Sequence, residues 1–386
     1  MEQTAVISDI HSNLEALRAV LSDIEGRGIK KIIFLGDLIG YGPNPKEVID
    51  IARALDLDLI VAGNHDRGIC ANAQGEELKF NMTEGAFFSL EMQVEALFTD
   101  NPRYFLSERY VPEMLSQKQI GYDPEMLVRL DESYGKRADA ELGALTTRKR
   151  AKAMHRMWLR SGGLGIMIRH MSRMMKVNQP VFEEIERHDE AVARLEFMKS
   201  IAESRYHGIV NGMHCFHSSW DKGKIYHYVL DPYQVEMFRE VGSVPRHDDY
   251  EDAMKTAKRL GKKGVLAFVK GHTHIPSIYR RKEGSIDFVL VDTGAVGMPR
   301  VREWKGVDPE TGEQIEEHDC HTKASYVVTD GSNFRIVWVP YNHEDTYEKM
   351  KAFYRWDELD DKTKRSMSFM RLWASIHGDW PEKGAA

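Results

Sequence analysis

The 386-residue chain is short of the features that mark secreted, membrane-bound and disulfide-stapled proteins. Its three cysteines, Cys70, Cys215 and Cys320, lie far apart with no paired spacing, as expected of a reducing compartment. No apolar run reaches the roughly 18 residues that a membrane span needs, so no membrane partner is expected. The first residues, Met1-Glu2-Gln3-Thr4-Ala5-Val6, carry no basic leader followed by an apolar stretch, which makes cytoplasm the expected location. There is no internal repeat or low-complexity tract. Excess positive charge is also lacking: the formal balance is -7, which disfavours a surface dominated by nucleic-acid contacts. Length and ordinary apolar content are enough for a sizeable core plus an additional lobe.

What is present is a series of short apolar runs, each ending in polar side chains. Thr4 to Ser8 ends in Asp9, and Ser12 to Gly26 then reads as a helix with Leu14, Leu17, Leu21 and Ile24 on one face. Ile32 to Leu35 ends in Gly36-Asp37, and Asn44 is expected to cap a helix opened by Pro45 that turns Val48, Ile49 and Ile51 inward. Leu57 to Ala62 ends in Gly63-Asn64-His65-Asp66. Such β-α alternation predicts a parallel sheet whose ligands gather at the strand C-terminal ends.

From residue 71 to 205 the pattern becomes helical, rich in Met, Arg and Glu. Strand character returns at Tyr206 to Val210 and Met213 to His217, where the intervening Asn211-Gly212 is a hairpin signal. A helix at 250–260 and a strand from Gly264 to Val269 lead to Gly271-His272-Thr273-His274. Phe288 to Val291, Ala324 to Thr329 and Phe334 to Val339 read as a second set of strands. The expected fold is α/β: two packed mixed sheets flanked by helices. Its core is 1–70 and 205–345, with a helical insert at 71–205 and a C-terminal helical tail at 346–386.

The strand ends bring together carboxylates, imidazoles and one amide oxygen, a mixture that suits Mn, Fe, Zn or similar ions better than Mg or Ca. A two-residue spacing would put Asp9 with His11, and His272 with His274, on one face of an extended segment. Glycines before Asp37, Asn64 and His272 are expected to let the chain turn sharply there. His318-Asp319-Cys320-His321 and Glu316-Glu317 also look ligand-like, but sit in a polar stretch that reads as solvated loop.

These motifs resemble the calcineurin-like metallophosphoesterases. The loop Gly36-Asp37-Leu38-Ile39-Gly40-Tyr41-Gly42-Pro43-Asn44-Pro45 and the Gly271-His272-Thr273-His274 signature are similar to the small bacterial and archaeal phosphodiesterase branch. So is the glycine-rich turn from Asp292 to Arg300, and the resemblance spans about 1–70 and 205–345 without the helical middle. It implies a calcineurin-like β-sandwich and two divalent metal ions, Mn favoured among Mn, Fe, Zn and Ni. Asp9, His11 and His274 would hold the first ion, and Asn64, His217 and His272 the second. Asp37 would bridge them, and His65 would assist the leaving group. Relatives follow the fourth-motif histidine with Gly, whereas Ser218-Ser219-Trp220 follows His217, and His214 competes for the role. His217 is preferred because it stands where the hairpin strand gives way to a loop. The Asp-Arg-Gly pattern of protein phosphatases is absent after Asp37.

Hydrolysis of a small or nucleotide-like phosphodiester or phosphomonoester is therefore the expected activity. A nuclease of the same chemistry is less favoured, as is a scaffold that has lost turnover. The expected partner is a small anionic phosphoester substrate; nucleic acid is not favoured, and self-association stays open. One stretch breaks the acidic average: Lys136 to Lys176 holds eleven basic residues against Asp139 and Glu141. Leu164, Met167, Ile168, Met171 and Met175 would make an apolar helix face there, with Arg169 and Arg173 on another and Ser161-Gly162-Gly163 as a break. Arg169 and Arg173 are the candidate substrate-binding residues, against the alternative of a solvated face or a subunit contact.

Overall fold

The computed structural model describes residues 2–74, 83–98, 190, 193–205, 207–218, 267–283, 286–307 and 311–381. The chain divides into two compact units. One comprises 1–67, 80–87 and 197–386; the other comprises 68–79 and 88–196. In the second unit the described residues are helical: the later parts of α3 (Asn64–Gln74) and α4 (Glu84–Phe98), residue 190, and 193–196. The basic stretch with Arg169 and Arg173, and the helix expected at 250–260, lie outside the described residues.

The first unit is built on two five-stranded sheets. β1 (Thr4–Ile7), β2 (Lys31–Phe34) and β3 (Leu59–Ile60) run parallel, joined by α1 (Leu14–Gly26) and α2 (Pro45–Ala54). The second sheet holds the hairpin β4 (His207–Val210) and β5 (Met213–Phe216), then β6 (Ala267–Lys270), β8 (Ile286–Asp292) and β7 (Ser277–Glu283). Here β5, β6 and β8 are parallel. The hairpin turn forms as expected, with Asn211 at φ 50° and Gly212 at φ 80°. β9 (Glu303–Val307) and β10 (Gln314–His318) form a separate hairpin.

β11 (Lys323–Thr329) and β12 (Phe334–Pro340) do not join the second set of strands. β11 pairs antiparallel with β1, at Ala5 with Val328, and so extends the first sheet. The strand composition was right and the sheet was wrong, because pairing partners far apart in sequence leave no local periodicity.

Val6, Ile33, Leu35 and Val61 from the first sheet meet Met213, Cys215, Val269 and Val291 from the second in one apolar core. Burying each such side chain is worth about 1.5–3 kcal/mol, so the facing sheets form a rigid base below the loops at the strand ends. α1 starts at Leu14, two residues later than the periodicity suggests. Asn13 is its cap, the side chain accepting from Ala16 N at 3.1 Å. Asn44 does precede α2, but its side chain makes no capping bond. Val48 and Ile49 are buried while Ile51 is only partly so.

Behind β12 come α5 (His343–Tyr354), α6 (Asp361–Ser366), a 3-10 turn at Ser368–Met370 and α7 (Arg371–Ile376). α5 lies on α1, where Lys349 Nζ donates to Glu15 at 2.6 Å and Thr346 Oγ1 to Asn13 at 3.3 Å. Among the described residues no helix is long and apolar enough to cross a membrane.

Candidate metal centre

Seven of the ten non-glycine residues with positive φ among those described are Asp9, His11, Ser12, Asp37, Tyr41, His272 and His274. Left-handed backbone costs a side-chain-bearing residue about 1–3 kcal/mol and persists only where the surroundings over-determine it. Here the loops hold one another. Asp9 N, His11 N and Ser12 N donate to the carbonyls of Gly36, Asp37 and Leu38 at 2.9–3.0 Å, and Gly297 N donates to Asp9 O at 2.9 Å. Asp9 with His11, and His272 with His274, thus converge through tight loops and not through the alternation of an extended segment.

The glycines act differently from one another. Gly36 has φ 93°, a turn that glycine favours. At Gly63 and Gly271 φ is ordinary and closeness is the requirement. A Cβ on Gly63 would lie 2.0 Å from Asp37 Oδ1, and one on Gly271 2.3 Å from Asp9 Oδ2.

Asp66 forms the underside of the site. Its carboxylate accepts from Gly63 N (2.9 Å), Asp37 N (2.8 Å) and Leu38 N (2.9 Å), tying the first turn of α3 to the loop after β2. Burial, together with the Asp37 carboxylate, lifts Asp66 to about 6. Asn64-His65-Asp66 open α3 directly, so the triplet is at once a strand end and a helix start.

Above this base, all eight proposed ligand and catalytic side chains from five strand ends come together, and the ligating atoms group as Asp9/His11/His274, His11/Asp37/His65 and Asp37/His217/His272. Asn64 joins the last group, its Oδ1 lying 3.2 Å from His217 Nε2. His214 does not. It sits within β5, stacked on His207 with ring nitrogens 2.7 Å apart.

The ring nitrogens of His11 and His274 share three polar contacts. His11 Nδ1 lies 3.2 Å from Ile39 O, His274 Nδ1 lies 2.6 Å from Met298 O, and the two Nε2 atoms face each other at 3.0 Å. As neutral rings the two imidazoles would bring only two protons to these three contacts, so at least one would set acceptor against acceptor. Burial, with Arg300, pushes His274 down to about 4, which keeps it neutral. A cation before the two Nε2 atoms resolves the conflict and leaves both Nδ1–H groups on their carbonyls.

His217 repeats the pattern. Nδ1 is 2.7 Å from Leu35 O, while Nε2 faces Asp37 Oδ2 at 3.1 Å, His272 Nδ1 at 3.1 Å and Asn64 Oδ1 at 3.2 Å. Burial alone would lower His217, yet Asp37 and Asp9 lift it to about 9, so a proton takes the place that a cation would fill. Despite burial, the positive charge on His217 holds both aspartates below the usual carboxylate range. Among the described residues Asp9 Oδ1 is buried without a hydrogen-bond partner, its near neighbour being His274 Nε2 at 3.3 Å, while Oδ2 accepts from Ser8 Oγ and His272 N. Acceptors with one orphaned carboxylate oxygen fit divalent cations, and the seven residues named from the sequence could hold them.

The ligand-like stretch at 316–321 lies apart from these groups. Glu316, Glu317 and His318 are on strand β10 and not in a loop; Lys305 pairs with Glu316 at 2.8 Å. His321 is buried, contrary to the solvated reading. Cys70, Cys215 and Cys320 are all buried.

Residues 3–127 match the family model for calcineurin-like phosphoesterases, a metal-dependent family, and so bear out the resemblance drawn from the motifs. An uncharacterized protein of Methanocaldococcus jannaschii is 65% identical over 65 residues, 17% of this chain and 26% of that protein. A symmetrical bis(5'-nucleosyl)-tetraphosphatase of Coxiella burnetii is 38% identical over 64 residues, 16% of this chain and 22% of the relative. The chain thus spans about a quarter or less of the length of these curated relatives. Among solved structures, a metallophosphoesterase from Sphaerobacter thermophilus aligns over 95% of this chain and 98% of its own at 18% identity and TM-score 0.41. A hypothetical protein from Pyrococcus horikoshii aligns over the same shares at 13% identity and TM-score 0.43.

Proposed function

We propose that this chain, a calcineurin-like phosphoesterase by its matched segment, hydrolyses phosphoester bonds of a small or nucleotide-like substrate with two divalent cations, Mn favoured. One observation carries the reading: buried acceptors from five strand ends converge with too few protons to satisfy one another. Asp9, His11 and His274 would hold one ion, Asn64, His217 and His272 the other, and Asp37 both. When bound, such ions supply Lewis acidity toward a phosphoryl oxygen and an activated water at neutral pH. The chain's own part is to fix the ligands on two packed sheets and to place His65 beside them. Burial, against the attraction of Asp37, drives His65 down to about 3, so without cations it is neutral. A neutral imidazole donates a hydrogen bond to a departing oxygen, worth typically ~10²–10⁴-fold in rate.

The tetraphosphatase relative puts dinucleoside polyphosphates first in a substrate panel that also holds cyclic nucleotides, alkyl and aryl diesters and monoesters. With Mn present, the purified protein is expected to turn over at least one of them, and chelation to abolish it. No turnover of any phosphoester with ions bound would contradict the reading.

A further inference from the structure

Three of the clustered histidines have their rings fixed by a hydrogen bond from the second ring nitrogen: His11 to Ile39 O, His217 to Leu35 O and His274 to Met298 O. His65 has no such anchor. Its Nδ1 is buried with no hydrogen-bond partner among the described residues, although its backbone N donates to Asp37 Oδ1 at 2.8 Å. Packing holds the ring instead. A Cβ on Gly40 would fall 2.4 Å from His65 Nδ1, which shows how closely the backbone lies against it. The Tyr41 ring stands edge-on to it at 4.4 Å between centroids, and His11 at 4.8 Å.

Tyr41 is itself held from outside the matched segment. It carries the unfavourable φ of 60°. The hydroxyl of Tyr354, a residue only 1% exposed, donates to Tyr41 O, and the Phe369 ring packs on Tyr41 at 4.6 Å and 31°. Phe369 in turn leans on Tyr354 at 5.5 Å. Three rings therefore run from the C-terminal helices to the imidazole, in a site where about 1 Å of misplacement can cost 10²-fold in rate.

We propose that Tyr41, clamped by Tyr354 and Phe369, is the positioning residue for His65, and that the C-terminal helices thereby set how well the enzyme expels a poor leaving group. This rests on the leaving-group role of His65. Tyr41→Phe preserves the edge-on aromatic contact.

The test compares His65→Ala, Tyr41→Leu, Tyr41→Phe and Phe369→Leu on an alkyl and a nitrophenyl phosphodiester, with bound Mn counted and the His65 ring resonances followed by NMR. Tyr41→Leu and Phe369→Leu are expected to keep their ions, shift or broaden the His65 signals, and lose about tenfold or more kcat on the alkyl ester beyond any loss on the aryl ester. Tyr41→Phe should restore both signals and ratio. Selectivity loss in His65→Ala with an unchanged ratio in both leucine variants would overturn the positioning role. An unchanged ratio in His65→Ala itself would remove the leaving-group role and this inference with it. Should Tyr41→Leu fail to fold, Phe369→Leu and its NMR spectrum decide alone.

Discussion

Asp37 faces both halves of the site: Oδ2 lies 3.1 Å from His217 Nε2 and 3.8 Å from His11 Nε2. Asp37→Ala is therefore expected to weaken both ions, by at least the ~10–100-fold that even an outer partner's loss costs. Metal analysis of the variant checks this; full occupancy would remove Asp37 as the bridge. His65→Ala is expected to keep its ions and to lose ~10²–10⁴-fold on an alkyl ester but far less on an activated one. Equal losses would sink that role. His217 and His214 separate in the same assay, since only His217→Ala should empty the second position.

The protonation of His217 gives a signed pH dependence. Its pKa without metal is about 9, above the ordinary value of 6.5, so its proton stabilises the metal-free fold below 6.5, and that contribution is lost as pH rises through 9. A cation must displace this proton. Affinity at the second position should therefore climb up to about tenfold per pH unit and level off above about 9, while metal-free protein loses thermal stability over the same window. Calorimetric titration with Mn across that range reads it directly, and a flat profile between pH 6.5 and 9 would contradict it.

At the scale of elements, the site depends on how nearly the loops touch. Gly63→Ala would drive a methyl group to 2.3 Å from Asp37 N, against backbone that cannot swing aside. A destabilisation of about 1–3 kcal/mol is expected, seen as a lower Tm together with reduced metal content. An unchanged Tm would show that the loops yield. The same scale explains what could be read beforehand. Apolar runs ending in Asp37, Asn64 and His272 are local patterns, and the type-I′-like turn at Asn211-Gly212 is a local signal. β9 and β10 escaped notice because one face of the hairpin is wet. Glu303, Lys305, Glu316 and His318 mask the inward Trp304 and Ile315, which pack with Val301 and Ile336. The role of Asp66, accepting two N–H bonds from a loop 28 or 29 residues away, has no sequence pattern at all.

On the scale of the whole molecule, the segment behind β12 is more than a tail. Tyr347, Met350, Tyr354, Trp356, Met367, Met370 and Trp373 are all buried. The basic stretch between Lys136 and Lys176 is the other large addition. Its proposed task is to attract the anionic part of the substrate. Joint replacement of Arg169 and Arg173 by Ala is expected to raise KM several-fold for a multiply charged nucleotide, weaken its salt dependence and spare a small aryl diester. Unchanged kinetics on both would assign the stretch elsewhere.

In the proposed function, hydrolysis needs two cations in one cluster of seven ligands. It is tested most directly by titrating Mn into chelator-stripped protein while counting bound ions per chain and following phosphodiester turnover. No turnover is expected in stripped protein, and full activity only as occupancy approaches two. Activity that is complete at one ion per chain, or persists at none, would contradict it.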